Sequence, residues 1–162
     1  CKVSVEVGGE LVQRFNTIDG EWTVCFDNLP APASLPPPAG VTYQPCVIFS
    51  IGINNEWSFD DAMAERGCKV YAFDPSMKGA VHHVRSEGRG PGGTGGVTFW
   101  PVGLAPEKQV GTVSPFGRVC GEKAECLTAG WDLDTMAGLR RLAGVDHIDL
   151  LKIDIEGMEW LS

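Results

Sequence analysis

Apolar and polar residues alternate at the start of the chain, where three valines are separated by polar side chains over residues 2–7. A period of two is typical of a half-exposed β-strand, and Gly8-Gly9 is expected to end it. Two further apolar stretches flank Asp19-Gly20, which predicts a β-hairpin with its turn at that dipeptide. We therefore predict a small N-terminal β-rich cap over residues 1–28.

Four later stretches are continuously apolar and rich in β-branched side chains, which is typical of strands covered on both faces. They lie at about residues 46–51, 69–73, 97–102 and 148–153. Ser58 and Asp61 form a pair resembling a capping box, ahead of a helix. A second helix is expected after Asp132 or Asp134 and before Gly144. This alternation predicts an α/β fold with a parallel sheet and right-handed crossovers.

A proline-rich stretch, residues 29–45, predicts an extended linker between the cap and a domain over residues 46–162. No internal repeat is evident. Three less regular elements are also expected, namely a short helix at about 75–84, a strand at 109–113 and a hairpin at about 120–128.

Candidate ligand-binding residues follow the predicted strands, at the edge where α/β sheets bind ligands. Gly52 ends the first strand and lets a ligand approach the backbone, and Asn54 lies in the same turn. Asp74 is at the tip of the second strand, where an acidic residue can accept hydrogen bonds from ribose hydroxyls. The alternative for Asp74 is a turn residue ahead of Pro75. The third and fourth strand ends supply Gly103, Leu104, Asp154 and Glu156.

The turn after the first strand lacks the glycines of a dinucleotide site. That fingerprint requires glycine at three places, which here hold Gly52, Asn54 and Trp57. Glu56 and two aspartates also place negative charge at the helix start, which suits the helix dipole but repels a phosphate. A ligand with a ribose, no phosphate and a cationic end fits better, and S-adenosyl-L-methionine is such a ligand.

Two stretches resemble a known family. LLKIDIEGMEW, residues 150–160, resembles the LLKIDVEGAE motif of the FkbM-like group of class I S-adenosylmethionine-dependent methyltransferases. SIGINNEWSFDDAMAERGCKVYAFDPSM and RFNTIDGEWTVCFD are similar to segments of the vertebrate methyltransferase-like protein 24 family. The resemblance implies a Rossmann-like class I methyltransferase sheet, truncated here after the fourth strand, with S-adenosylmethionine as cofactor. It also implies that Gly103 and Leu104 lie near the adenine. This chain lacks the second glycine that the group usually carries near Glu56.

Methyl transfer requires an in-line nucleophile and usually a base. Asp154 and Glu156 are two residues apart, so an extended backbone points both to one side. One could hold the methionine amino group or the acceptor while the other acts as the base, or the pair could share Mg²⁺. Alternatively, Glu156 caps the following helix. His82 and His83 are a poor metal pair, although either could act as a base.

The resemblance implies an oxygen of a small molecule or glycan as the methyl acceptor. Two other classes of function remain open from the sequence. One is a catalytically inactive module that keeps the methyltransferase fold for binding or interaction. The other is a nicotinamide-dependent oxidoreductase, which would require phosphate contacts that the first turn lacks.

Composition narrows the partners. The net charge of −8 argues against nucleic acid, which needs clustered basic side chains. No apolar run is long enough for a membrane span. The chain also stops soon after a predicted apolar strand, so we expect a fragment that alone is marginally stable, prone to association and weakly active.

The six cysteines form no Cys-x-x-Cys pair, so no zinc site is predicted. Cys46 and Cys68 are expected to be buried thiols, and Cys120 and Cys126 to form a disulfide. The even number of cysteines favours an oxidising compartment, such as the secretory pathway or the exterior of the cell.

Overall fold

A computed structural model describes residues 1–27, 29–30, 45–77, 80–112 and 130–155 of the chain. This part is a mixed α/β structure. Its strands are β1 (Ser4–Val12), β2 (Thr17–Cys25), β3 (Val47–Ile51), β4 (Lys69–Phe73), β5 (His83–Arg85), β6 (Gly96–Trp100), β7 (Val102–Leu104), β8 (Gln109–Thr112), β9 (Trp131–Asp134) and β10 (Leu150–Ile153). Its helices are α1 (Ser58–Glu65), α2 (Met136–Ala143) and a 3₁₀ turn at Pro91–Gly93.

The central sheet has the order β10-β3-β4-β6-β5. The first four strands are parallel, as the continuous apolar stretches predicted. Ile51 pairs with both Ile153 and Phe73, and Phe73 pairs with Trp100, so the carboxyl ends of these strands are level. The segment predicted as a short helix at 75–84 instead leads into β5, which pairs antiparallel with β6.

The third predicted strand is divided between two sheets. β6 ends at Trp100, and Pro101 separates it from β7, which pairs in parallel with β9 in a second sheet of order β7-β9-β8. Proline lacks an N–H group and cannot continue a strand ladder. The third predicted strand, 97–102, therefore ends at Trp100, and Gly103 and Leu104, which were expected at its end, lie within β7.

The second helix starts later than predicted. Asp132 and Asp134 belong to β9, and the N-cap of α2 is Thr135, whose hydroxyl accepts a hydrogen bond from the Gly138 N–H at 3.1 Å. Gly144 ends the helix in the left-handed conformation, as expected of a C-terminal glycine. The predicted strand at 109–113 is confirmed as β8, while the hairpin predicted at about 120–128 lies outside the described residues.

Both faces of the central sheet are covered. On one face, Ile48, Val70 and Val97 pack against α1 and against Val7 and Val24 of the N-terminal hairpin, β1–β2. On the other face, the core contains Phe49, Ile51, Phe73, Leu104 of β7 and Leu139 of α2. Side chains alternate across a strand, so each apolar stretch supplies both cores.

The N-terminal hairpin differs from its predicted form. Asp19-Gly20 lies within β2 and Gly8-Gly9 lies within β1, while the turn falls at residues 13–16. The sequence signal was misleading because these glycines serve a close approach to α1 and to the segment before it. A Cβ on Gly8 would lie 2.6 Å from the Phe59 nitrogen, and one on Gly20 would overlap the Glu56 carboxylate.

Two disulfides occur in the described part of the chain. One joins Cys1 to Cys25 across the base of the hairpin, with Cα atoms 5.7 Å apart. The other joins Cys46 to Cys68, just ahead of β3 and β4, with Cα atoms 4.6 Å apart. The prediction of free thiols at Cys46 and Cys68 was wrong, because the two adjacent strands bring their cysteines within bonding distance. The predicted pair Cys120–Cys126 lies outside the described residues.

Candidate functional site

The Gly52 turn, residues 52–57, connects β3 to α1 at the carboxyl edge of the central sheet. Gly52 has φ +83°, and its N–H donates to the Phe73 carbonyl at 2.9 Å. A Cβ at this position would overlap the Asp154 carbonyl oxygen. Both the backbone conformation and the neighbouring strand therefore require glycine, as the sequence predicted for a tight turn.

Asp74 anchors this turn from the end of β4. Asp74 is 4 % exposed, and its Oδ2 accepts hydrogen bonds from the Ile53 and Asn54 N–H groups, both at 2.8 Å. Its Oδ1 accepts from the N–H and hydroxyl of Ser76 at 2.7 and 2.6 Å. A carboxylate has about four acceptor positions, so the chain itself already uses them all. Asp74 is a buried structural carboxylate, and its ribose role stays a prediction.

Asn54 and Asn55 form the outer part of the turn. Both have positive φ, 47° and 62°, and both are exposed. Asparagine adopts this conformation more readily than most residues. The Asp74 carboxylate holds the Asn54 N–H, and the exposed amide side chains of Asn54 and Asn55 could reach a ligand at the edge of the sheet.

The first turn of α1 is closed to a phosphate. The Glu56 carboxylate accepts from the Ser58 N–H at 2.8 Å, and the Ser58 hydroxyl accepts from the Gly9 N–H at 2.6 Å. Backbone of the N-terminal hairpin thus lies directly against the helix start, where a dinucleotide pyrophosphate would sit. The prediction that Ser58 and Asp61 form a pair resembling a capping box was wrong. The N-cap is Trp57 without a side-chain cap, and Asp61 binds Arg85 at 2.7 Å.

Lys152 is a buried cation beneath the turn that the sequence reasoning missed. Its Nζ donates to the Gly52 carbonyl at 2.6 Å and lies 5.2 Å from the centre of the Trp22 ring. The side chain sits on β10 beside Ser50 of β3 and is 9 % exposed. A lysine inside an otherwise apolar strand was the available signal, because a buried ammonium needs partners.

Asp60 is fully buried near Lys152. Among the described residues, none satisfies its carboxylate oxygens with a well-formed hydrogen bond, and the Ser50 hydroxyl is likewise unsatisfied. Burial raises the pKa of Asp60 to about 7, aided by the charge of Glu56 and opposed by the nearby Ser50 hydroxyl and by the charge of Lys152. The sequence identified Asp60 only as a negative charge at a helix start, since its burial depends on how α1 packs near Ser50 of β3 and Lys152 of β10.

The fourth strand places Asp154 at the same edge. Its N–H donates to the Ile51 carbonyl at 2.9 Å, and the residue is exposed. Asp154 and Gly52 are in backbone proximity, so the structure brings together these two predicted site residues. Glu156 lies outside the described residues, and its predicted roles as base, ligand or cap stay predictions.

Gly103 and Leu104 lie beside the segment after Asp74. A Cβ on Gly103 would come within 2.7 Å of the Pro75 and Leu133 side chains. Leu104 is 6 % exposed and packs in the core of the α2 face. Their predicted contact with adenine stays a prediction, and in this structure both residues are packed against protein.

Three rings, those of buried Phe73, half-buried Trp100 and exposed His82, lie at the same edge of the central sheet. Trp100 stacks on Phe73, with ring centres 5.4 Å apart, and lies 4.9 Å from the His82 ring. The His82 Nδ1 is 2.8 Å from the Phe99 carbonyl oxygen, so Nδ1 donates that hydrogen bond and Nε2 is the ring nitrogen at which a proton could be accepted. His82 therefore remains a possible base, and Trp100 offers a flat surface that sequence reasoning did not include.

Within the described ranges, one group of possible metal ligands comes together: Cys1, Cys25 and Asp27. Its two sulfurs are joined in a disulfide and so are not thiolates. None of the helices in the described part of the chain is long and apolar enough to cross a membrane.

Comparison with known proteins finds two similar sequences. Probable methyltransferase-like protein 24 of Homo sapiens is 26% identical over 140 residues, which cover 86% of this chain and 31% of the human protein. The Rattus norvegicus protein of the same name is 26% identical over 144 residues, covering 86% of this chain and 32% of its own length. The chain therefore spans about a third of the length of these relatives. No protein-family model matches the chain, and no solved structure matches it.

Proposed function

We propose that this chain is the cofactor-binding part of an S-adenosylmethionine-dependent methyltransferase. The observation that carries the proposal is the construction of the Gly52 turn: a glycine turn anchored by Asp74, followed by a helix start covered by Glu56 and Gly9. The turn lies at the carboxyl edge of the sheet, where parallel α/β sheets bind nucleoside-type ligands. The usual phosphate position is filled by the chain itself.

Sheet topology supports the same proposal. Numbered in chain order, the four parallel strands β3, β4, β6 and β10 have the spatial order 3-2-1-4. This is the order of the corresponding strands in doubly wound nucleotide-binding sheets, whose ligands bind where the strand order reverses. That position lies between β3 and β10, where Gly52 meets Asp154. The similarity to two proteins named as probable methyltransferase-like adds weight to it.

The residues present suit the cofactor by charge. S-adenosylmethionine would supply a methyl group on a sulfonium, a cation without phosphate. Asp154 is an exposed carboxylate at the reversal point, and Asn54 and Asn55 are exposed amides of the Gly52 turn. Trp100 offers a stacking surface at the end of β6, and aromatic faces attract both rings and cations.

In the proposed mechanism, the bound cofactor would supply the methyl group, and the chain would hold the acceptor hydroxyl and remove its proton. Asp154, or His82 through Nε2, would be the base that accepts that proton. Glu156 is a second carboxylate that could hold the acceptor or the methionine amino group. We propose an oxygen of a small molecule or glycan as the acceptor.

One observation favours a second candidate, a methyltransferase-fold module without catalytic activity. All four acceptor positions of Asp74 are used within the chain, so a ribose would have to displace Ser76 or the turn amides. A protein that has lost cofactor binding could keep such a carboxylate as a structural anchor. This candidate predicts an intact fold with no affinity for S-adenosylmethionine.

We also propose an oxidising compartment for the protein. The described part of the chain contains two disulfides, Cys1–Cys25 and Cys46–Cys68. Structural disulfides persist in secreted proteins and in the secretory pathway and are rare in the cytosol.

The proposed function is tested by native mass spectrometry of the full-length protein, purified without added nucleotides. Retention of S-adenosylmethionine or its demethylated product supports the methyltransferase. Retention of a dinucleotide contradicts it. If the measured mass equals that of the protein without ligand, and added excess S-adenosylmethionine does not bind, the result supports the inactive module.

A further inference from the structure

Ser50, Asp60 and Lys152 form a buried polar cluster behind the Gly52 turn. Each comes from a different element: Ser50 from β3, Asp60 from the first turn of α1, and Lys152 from β10. All three are between 0 and 9 % exposed. Polar groups are normally excluded from such a position unless they are fully hydrogen-bonded, yet Ser50 and Asp60 find no such partner within the described part of the chain. The cluster is therefore a candidate for a functional role.

The cluster is connected to the Gly52 turn by one hydrogen bond, from Lys152 to the Gly52 carbonyl. The Lys152 ammonium donates to the Gly52 carbonyl at 2.6 Å, and the Gly52 N–H donates to Phe73. Gly52 is thereby held on both sides in a conformation that other residues rarely adopt, φ +83°. Moving Lys152 would release the carbonyl and with it the backbone that leads to Asn54.

The charge of Asp60 affects the position of the Lys152 ammonium. Its ammonium lies over the Trp22 ring and near the Asp60 carboxylate, which carries the opposite charge when ionised. When Asp60 is neutral, the partners that the described residues offer the buried Lys152 cation are the Trp22 ring and the Gly52 carbonyl. An uncompensated buried cation is costly, so it is drawn towards water and away from Gly52.

We propose that Asp60 and Lys152 are positioning residues that set the geometry of the Gly52 turn, and that ionisation of Asp60 switches the turn to its ligand-binding form. The proposal rests on the proposed function, since it identifies the ligand of the turn as S-adenosylmethionine. Neither residue touches the reacting atoms. Both act through the Gly52 carbonyl.

The titratable and charged groups that face Asp60 are few. Lys152 approaches from β10, Glu56 from the segment ahead of α1, and the Ser50 hydroxyl from β3. The next acidic residue of the helix, Asp61, is paired with Arg85. The raised pKa of Asp60, about 7, places the switch in the neutral pH range. Among the described residues, Glu56 is the further carboxylate that acts on Asp60, and its charge raises the pKa of Asp60.

The first test does not involve the cofactor. In the full-length protein, the amide resonances of Ile53 and Asn54 are followed by NMR from pH 5.5 to 8.5. We expect the chemical shifts of both amides to change together with a midpoint near pH 7. In Asp60→Asn, this change near pH 7 should disappear. Lys152→Met should raise the midpoint, because the cation that favours the ionised form is gone. Glu65→Gln removes the same charge from an exposed site on α1 and should change nothing.

The second test measures S-adenosylmethionine affinity by calorimetry over the same pH range. Relative to Asp60→Asn, which corrects for titration of the cofactor itself, wild-type affinity should rise up to tenfold per pH unit below 7 and level off above it. Equal pH profiles of affinity for the wild type and Asp60→Asn would overturn the proposal. So would either of two NMR results: Ile53 and Asn54 amide resonances that do not shift with pH, or resonances that shift in Asp60→Asn as they do in the wild type. If no variant binds the cofactor at any pH, the proposed function fails, and the NMR titration still decides whether Asp60 controls the turn.

Discussion

The backbone N–H of Gly9 donates a hydrogen bond to the Ser58 hydroxyl at 2.6 Å, joining the N-terminal hairpin to the first turn of α1. Neighbouring Gly8 lies so close to the Phe59 backbone that a side chain could not fit between them. The hairpin is thus packed onto the domain through backbone contacts. It contributes Val7 and Val24 to the core and covers the helix end that a phosphate would need.

Gly8→Ala should destabilise the protein by roughly 2–4 kcal/mol, because it combines backbone strain at φ +81° with an overlap against Phe59. Gly144→Ala is the matched control, since Gly144 has φ +67° but open space where its Cβ would lie. It should cost only about 1 kcal/mol. Urea unfolding of both variants measures the difference. Equal losses would show that the hairpin does not rest on α1 as described.

Asp74→Ala should lower the free energy of unfolding by roughly 3–5 kcal/mol, because it leaves the Ile53, Asn54 and Ser76 N–H groups without their acceptor. Asp154→Ala, at an exposed site, should change it by less than about 0.5 kcal/mol. Thermal and chemical unfolding of the two variants provide the measurement. A stability unaffected by Asp74→Ala would mean that the carboxylate does not anchor the turn.

The ribose role of Asp74 is separable from its structural role by changing the ligand. Asp74→Ala should reduce S-adenosylmethionine affinity roughly tenfold or more. If Asp74 binds the ribose, a 2′-deoxy analogue should bind the wild type more weakly than the cofactor does, while Asp74→Ala should not distinguish the two ligands. Equal discrimination by both proteins would assign Asp74 to the turn alone.

The Cys46–Cys68 bond should appear as a disulfide-linked peptide pair when the protein is digested without reduction. Replacing both cysteines by serine should cost about 3 kcal/mol, from the entropy of the loop that the bond closes. The same digest tests the predicted Cys120–Cys126 pair. Complete alkylation of Cys46 and Cys68 in unreduced protein would contradict the bond and the proposed oxidising compartment.

The raised pKa of Asp60 makes stability depend on pH. Burial lets folded Asp60 keep its proton up to about pH 7, whereas an unfolded aspartate loses it near about pH 4. The stability contributed by this proton is fully present below about pH 4 and is lost as pH rises through about 7. The free energy of unfolding of the wild type, relative to Asp60→Asn, should therefore fall by up to about 4 kcal/mol from pH 4 to pH 8. A difference independent of pH would show that Asp60 titrates normally.

The sequence predicted the parallel sheet well because its four strands contribute to the cores on both faces and form continuous apolar stretches. It mispredicted the hairpin because Gly8 and Gly20 resemble turn residues, while their actual use is close contact with α1 and Glu56. Glycine meets both needs, and only the packing distinguishes them.

The sequence predicted the part of the candidate site that the ends of the parallel strands form. Gly52 and Asp154 do meet at the carboxyl edge of the sheet. Lys152 and Asp60 were missed because their burial depends on the hairpin and on the pairing of β10 with β3, which residues far apart in the chain decide together. A buried charge is visible in a sequence only once its strand or helix has been placed.

The central claim is that the Gly52 turn binds S-adenosylmethionine and not a dinucleotide. Calorimetric titration of the full-length protein with S-adenosylmethionine and, separately, with NAD tests it most directly. Gly52→Val, whose side chain would overlap the Asp154 carbonyl, is the site-specific control. We predict binding of S-adenosylmethionine by the wild type, loss of that binding in Gly52→Val, and no binding of NAD. Tight binding of NAD, or S-adenosylmethionine binding that survives Gly52→Val, would contradict the account.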